Sequence, residues 1–169
     1  MILIKVEKKM EKKMYNKIIT MIVLLIALIS INSFAQDMPV PANLQAALFK
    51  KIFSFNKTLQ AKGNVEVAVL GGGSADVVSA FKEAGINVKA VDQVPPGASV
   101  VYVMPGATPP KQKGVFSISG VPSYVESGKV SVGVGIDGGK PKILVHLAQL
   151  KAEGQEMSAD LLNIAKVIQ

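Results

Sequence analysis

KVSVGVGIDGGKPKILVHLAQLKAEGQEMSADLLNIAKVIQ, residues Lys129 to Gln169, is the stretch whose reading decides the fold. Val130, Val132, Val134 and Ile136 alternate with Ser131, Gly133 and Gly135, the period-2 pattern of a strand with one buried face. Asp137, Gly138 and Gly139 supply a turn, and Lys140 to Leu147 returns as a second strand. Ile143, Leu144 and Val145 are apolar on both faces, which suits a strand well inside a sheet, and Pro141 belongs at its start because it has no N–H to give. After Gly154, Ser158 is the expected N-cap of an amphipathic helix, with Leu161, Leu162, Ala165 and Ile168 on one face. The chain is expected to end on that helix.

Upstream, the elements continue the same pattern. Leu44, Ala47, Leu48, Phe49, Ile52, Phe53 and Phe55 form a broad apolar stripe that predicts a first helix over Asn43 to Thr58, and Gly63 closes the region. Val65 to Leu70 reads as a strand, Gly71-Gly72-Gly73-Ser74 as a loop, and Ala75 to Ala84 as a helix closed by Gly85. Ile86 to Val91, Ser99 to Met104 and Val115 to Ser119 are further strands. The Asp92 to Ala98 and Ala107 to Gly114 connections are too rich in proline and glycine for helices. Val121 to Gly128 predicts a turn with one helical turn over Ser123 to Glu126. The expected class is therefore α/β: a single compact domain, an open mixed sheet with helices on its faces, and a C-terminal β-hairpin followed by a helix.

The first 35 residues have the composition of a leader. Lys5, Lys8, Lys9, Lys12, Lys13 and Lys17 form a basic segment, Ile18 to Ile31 an apolar one, and Ser33-Phe34-Ala35 places small residues where signal peptidase reads them. An apolar run of roughly 14 residues is shorter than the roughly 20 that span a bilayer, so cleavage after Ala35 is expected, leaving residues 36–169 and no stable membrane span. Met14 would serve as a start as well as Met1. The leader carries six lysines against Glu7 and Glu11, so its removal lowers the formal charge by four, from +7 to +3. No arginine occurs anywhere, and without that bidentate fork and with scattered lysines, nucleic-acid binding is not expected. The absence of cysteine removes a disulfide framework, a thiolate metal site, a thiol nucleophile and a lipoprotein anchor. An exported, cysteine-free domain behind such a leader points to the periplasm, or to secretion from a cell with no outer membrane.

Ile143-Leu144-Val145-His146-Leu147, Ala152-Glu153-Gly154, Ser158-Ala159-Asp160-Leu161-Leu162 and Ala165-Lys166-Val167-Ile168 resemble the closing signature of the YfiR/HmsC-like family of bacterial periplasmic proteins. Asn43 to Ile52 and Val101-Tyr102-Val103-Met104-Pro105-Gly106 are also similar to members of that family. The resemblance implies a compact periplasmic α/β domain that binds the outer region of an inner-membrane signalling protein. In the best-known case that protein is a diguanylate cyclase, inhibited by the contact, which places the family in cyclic-di-GMP signalling; a homodimer is also among the expectations. This chain departs from the pattern in having neither cysteine nor tryptophan, and in carrying His146 where the family has Asn. Redox control through cysteines cannot operate here.

Candidate sites read directly from the residues are few. Gly71, Gly72, Gly73 and Ser74 lie between a strand and a helix, where free N–H groups can hold an anion, but they lack the Lys-Ser/Thr of a P-loop and the spacing of a dinucleotide site. Pro105 and Gly106, with Gly120-Val121-Pro122, end strands on what should be the same edge, where open α/β sheets place ligands. A small-ligand binding module is therefore the alternative function. His146, the one histidine, has no acidic or thiol companion in a motif and reads as structural, on the face of Leu144 near a sheet edge. No nucleophile elbow or carboxylate pair stands out, so catalytic residues, metal ligands and cofactors are not expected, and the chain reads as a non-enzyme.

Overall fold

The computed structural model describes residues 40–169; the expected leader, with its start and cleavage point, lies outside the described residues. The strands are β1 (Glu66–Leu70), β2 (Asn87–Val91), β3 (Val100–Val103), β4 (Phe116–Ser119), β5 (Val132–Asp137), β6 (Lys140–His146) and β7 (Lys166–Ile168). They form one sheet in the order β2-β1-β3-β4-β5-β6-β7. Pairing is parallel throughout except between β5 and β6. The helices are α1 (Ala42–Phe55), α2 (Lys57–Lys62), α3 (Ala75–Glu83), α4 (Pro122–Glu126), α5 (Leu147–Ala152) and α6 (Ala159–Ile164). The α/β class, the open mixed sheet and the hairpin with a helix after it are those read from the sequence; the short α5 between them is additional.

The connections follow from chain handedness. Parallel crossovers are right-handed, so a step in one direction across the sheet puts its connection on one face, and a step in the other direction puts it on the opposite face. The step from β1 to β2 carries α3 on the face of Val67, Val69, Tyr102 and Phe116. The reverse steps from β2 to β3, from β3 to β4 and from β4 to β5 carry Ala98, Ala107 and Val125 on the face of Ala68, Val101 and Val103. The first face is the aromatic one. Phe49 of α1 is fully buried and packs against Phe53, Phe81 and Tyr102 at ring separations of 6.4, 6.0 and 5.9 Å. Burying such a ring contributes roughly 1.5–3 kcal/mol.

The second face is tighter and more polar. A methyl group added to Gly133 would lie 2.5 Å from Val125 Cγ2, and one added to Gly135 would lie 2.7 Å from Pro122 Cγ. The glycines that mark the alternation in β5 are therefore not a solvent face. They are buried seats for α4, so β5 is covered on both sides over Val132–Gly135, in contrast to the single buried face its alternation suggests.

Three boundaries differ from the sequence reading. The first helix breaks at Asn56, whose backbone is extended and whose side chain caps α2 by accepting from the Leu59 N–H at 3.1 Å. The strand β6 stops at His146, and Leu147 begins α5. The last helix stops at Ile164: Ala165 is extended, and Lys166–Ile168 adds β7 alongside Leu144–His146. Ala165 and Ile168 thus leave the helical face expected of them. As a strand, this segment pairs with the open side of β6, whose backbone groups a further helical turn would leave unpartnered.

Candidate functional site

The sheet has two ends, and the chemistry differs between them. Because β1, β3 and β4 run parallel, Gly71–Ser74, Pro105-Gly106 and Gly120–Pro122 all leave from the carboxyl edge. The chain steps one way from β1 and the other way to β3, so the gap between these strands is the topological switch point. That gap is filled. A methyl group on Gly71 would come within 2.9 Å of Ala107 Cβ and 3.0 Å of Met104 Cβ, so the two loops touch. Gly71 needs its positive φ of 110° as well as the space. Gly72 and Gly73 stand exposed, with nothing near their Cα hydrogens. Ser74 is the N-cap residue of α3 but makes no side-chain cap bond, and Asp76 occupies the first turn, so the positive end of the helix already has a carboxylate beside it. Gly106 is pinned, its N–H donating to Tyr124 Oη at 2.8 Å. The next loop rests on a buried network: Gly120 N–H donates to Tyr102 Oη at 3.2 Å, and that hydroxyl donates to Gln45 Oε1 at 2.6 Å. Burial pushes the Tyr102 hydroxyl up to about 12, against the smaller opposing effects of the Gly120 and Gln45 bonds.

His146 belongs to the opposite end. Antiparallel β6 finishes where β5 begins, at the amino edge. There His146 is the N-cap of α5, its Nδ1 accepting from the Gln149 N–H at 3.2 Å. Its other ring nitrogen lies against Gly128. Because β7 pairs alongside, the residue is interior to the sheet and not at its margin. His146 and the glycine loops therefore lie at opposite ends of the sheet.

At this same amino edge lies a cluster that motif reading passes over. Glu153 is 2% exposed. Its carboxyl accepts from Ser117 N–H at 3.1 Å, from Ser117 Oγ, from Ser131 Oγ at 2.6 Å and from Gln149 Nε2 at 3.0 Å. Burial raises its pKa above the ordinary carboxylate value, outweighing the hydrogen bonds from Ser117, Ser131 and Gln149 that pull it down. Above it is a cavity of about 300 Å³, lined by Lys111, Gln112, Lys113, Gly128, Gln149 and Glu153 among others. A second recess, of about 250 Å³, lies beside β1 and β2 against Pro95–Ser99, with the Lys89–Glu66 ion pair on its wall. Among the described residues no group of three or more His, Cys, Asp or Glu side chains is placed to hold a metal, and no helix is long and apolar enough to cross a membrane.

No family model matches the chain, and no curated protein matches it. Among solved structures, the chain is similar to an ABC domain in complex with L-Trp from Streptococcus pneumonia, at 14% identity and a TM-score of 0.48. The likeness covers 76% of this chain and 60% of that one, so the chain spans less than two thirds of that structure's length. The bound L-Trp is a property of that protein. A likeness at this level says nothing further about ligand or role.

Proposed function

We propose that this protein is a non-enzymatic periplasmic regulator of the YfiR-like type, which binds the outer region of an inner-membrane signalling protein, with a diguanylate cyclase as the first candidate. The observation that carries the reading is the resemblance of the closing segment, taken together with where that segment lies. Leu144, Val145 and Leu161 of the signature are core. Ile164 and Val167 are 64% and 39% exposed, and among the described residues no strand lies on the outer edge of β7. An unpaired edge flanked by apolar side chains is a ready template for another chain. Binding would shift the partner toward the conformation it fits better, by the difference in affinity between the partner's two states.

The test is a photo-crosslinking residue at Ile164, with a matched one at exposed Lys82 on α3, in cells making the whole chain. Recovery of one membrane signalling protein from position 164 and not from 82 supports the reading. Equal background at both positions counts against it. The alternative, a small-ligand module at Gly71–Ser74 and Pro105-Gly106, would instead give a melting shift with one member of a panel of nucleotides and carboxylates.

A further inference from the structure

The proton count at Glu153 carries an inference that does not depend on the partner reading. The Ser131 hydroxyl has one proton and two acceptors in reach, Glu153 Oε2 at 2.6 Å and the Ser117 carbonyl at 2.9 Å. It can serve only one at a time. With Glu153 ionised, that proton goes to the carboxylate. With Glu153 protonated on Oε2, the acid donates to Ser131 Oγ and the serine hydroxyl turns to the Ser117 carbonyl. Oε2 keeps a lone pair for the Ser117 N–H, and Ser117 Oγ still accepts from Ser131 N–H at 3.0 Å. Every polar group is satisfied in both states. A buried carboxyl ordinarily has one well-supported state and one costly one; this cluster is wired for two.

The cluster also touches the irregular connection from β3 to β4 where it reaches this edge. The loop over residues 107–114 ends with Gly114 N–H donating to the Glu153 carbonyl at 2.8 Å, and Lys113 lies against Gly154. The charged and titratable groups packed about Glu153 and this loop are Lys111 and Lys113 from the loop, His146 from the start of α5, and Lys62 of α2, whose Nζ donates to the Gly114 carbonyl at 3.1 Å; Ser117 and Ser131 are neutral.

We propose that Glu153, Ser131 and Ser117 form a proton-operated latch that sets how firmly the 107–114 loop is held to the amino edge of the sheet. Ionisation places a negative charge beneath a cavity walled by two lysines and draws the loop inward. Protonation removes that attraction while Ser131 rotates to the Ser117 carbonyl. Nothing else in the core has to move.

The experiment is an NMR titration of the protein made from the full chain, following the Glu153 side-chain carboxyl carbon and the exchange protection of the Gly114 amide, corrected for intrinsic rate. The expected result is a Glu153 midpoint above the ordinary glutamate value of about 4.3, with Gly114 protection rising several-fold through that same midpoint. In the Lys111→Met/Lys113→Met variant, both changes being at exposed positions, Glu153 should titrate at a still higher pH while the rise at Gly114 is lost. His146→Asn keeps an acceptor at the N-cap but removes the other titratable group, and should leave both curves in place. A Glu153 midpoint at the ordinary value, or Gly114 protection that ignores the Glu153 midpoint, overturns the proposal. So does a Gly114 transition that disappears in His146→Asn.

Discussion

The two ends of the sheet solve different problems with different parts of the residue. At the carboxyl edge the working atoms are backbone: glycines with positive φ, a pinned Gly106 N–H, a switch point closed by Ala107 against Gly71. At the amino edge they are side chains brought from three places, Ser117 of β4, Ser131 before β5, and Gln149 and Glu153 of α5 and its C-cap, around one buried carboxyl. Backbone loops stand out in a sequence because glycine and proline announce them. A side-chain cluster of ordinary residues does not, although it carries more of the energetic cost of a change.

That contrast can be broken by mutation. Glu153→Ala should be the most damaging change, since it leaves several buried donors without an acceptor and opens a void; about 3 kcal/mol of stability should be lost in urea unfolding. A loss below about 1 kcal/mol would mean that water replaces the carboxyl without difficulty. Gly133→Ala lies midway between the edges and should cost about 1–3 kcal/mol, because the added methyl meets both Val125 and the Ser119 carbonyl of the adjoining strand.

Glu153→Gln sharpens the comparison through pH. The amide keeps the shape but cannot accept the Ser117 N–H at the nitrogen end, a loss of about 1 kcal/mol in acid. In the parent, burial raises the folded pKa of Glu153 above its unfolded value. The stabilisation from the bound proton is therefore full below the unfolded pKa and is lost as pH rises through the folded one. The variant has no such loss, so its deficit should narrow from acid toward neutral pH; parallel stability curves would contradict the raised pKa. Smallest of all, Gly72→Ala should change stability by no more than about 0.5 kcal/mol, because the position is open and its φ is not in the left-handed region. If that variant instead lost a ligand-induced melting shift, the carboxyl edge would regain its claim to be the working site.

Much of the fold was legible where local chemistry and tertiary packing agree. The β5–β6 hairpin is announced by Gly138-Gly139, whose φ values of 56° and 77° are those of a tight hairpin turn, and Gly85 closes α3 at a φ of 74°. The failures come where they disagree. Asn56 interrupts an unbroken helical stripe because its side chain caps α2 and reaches Gln155. Leu161, Leu162, Ala165 and Ile168 keep helical spacing, yet a free position beside β6 converts Lys166–Ile168 into strand. The Glu153 cluster left only indirect signs: small polar Ser117 and Ser131 at inward strand positions, and an acid between Ala152 and Gly154 in a segment otherwise read for its core residues. The capping role of His146 was not legible, because it needs the strand to end where it does.

The break at Asn56 has a consequence for the order of events in folding. Its amide donates to Gln155 at 3.1 Å, across 99 positions of chain, and the adjoining Lys57 N–H and Phe55 carbonyl find Glu156 and Ser158. These partners are synthesised about a hundred residues after Asn56. The junction between the first two helices therefore cannot close on a nascent chain, however early α1 forms, and ordering it must overcome the entropy of a loop of that size. The junction at Asn56 stays open until Gln155 to Ser158 arrive.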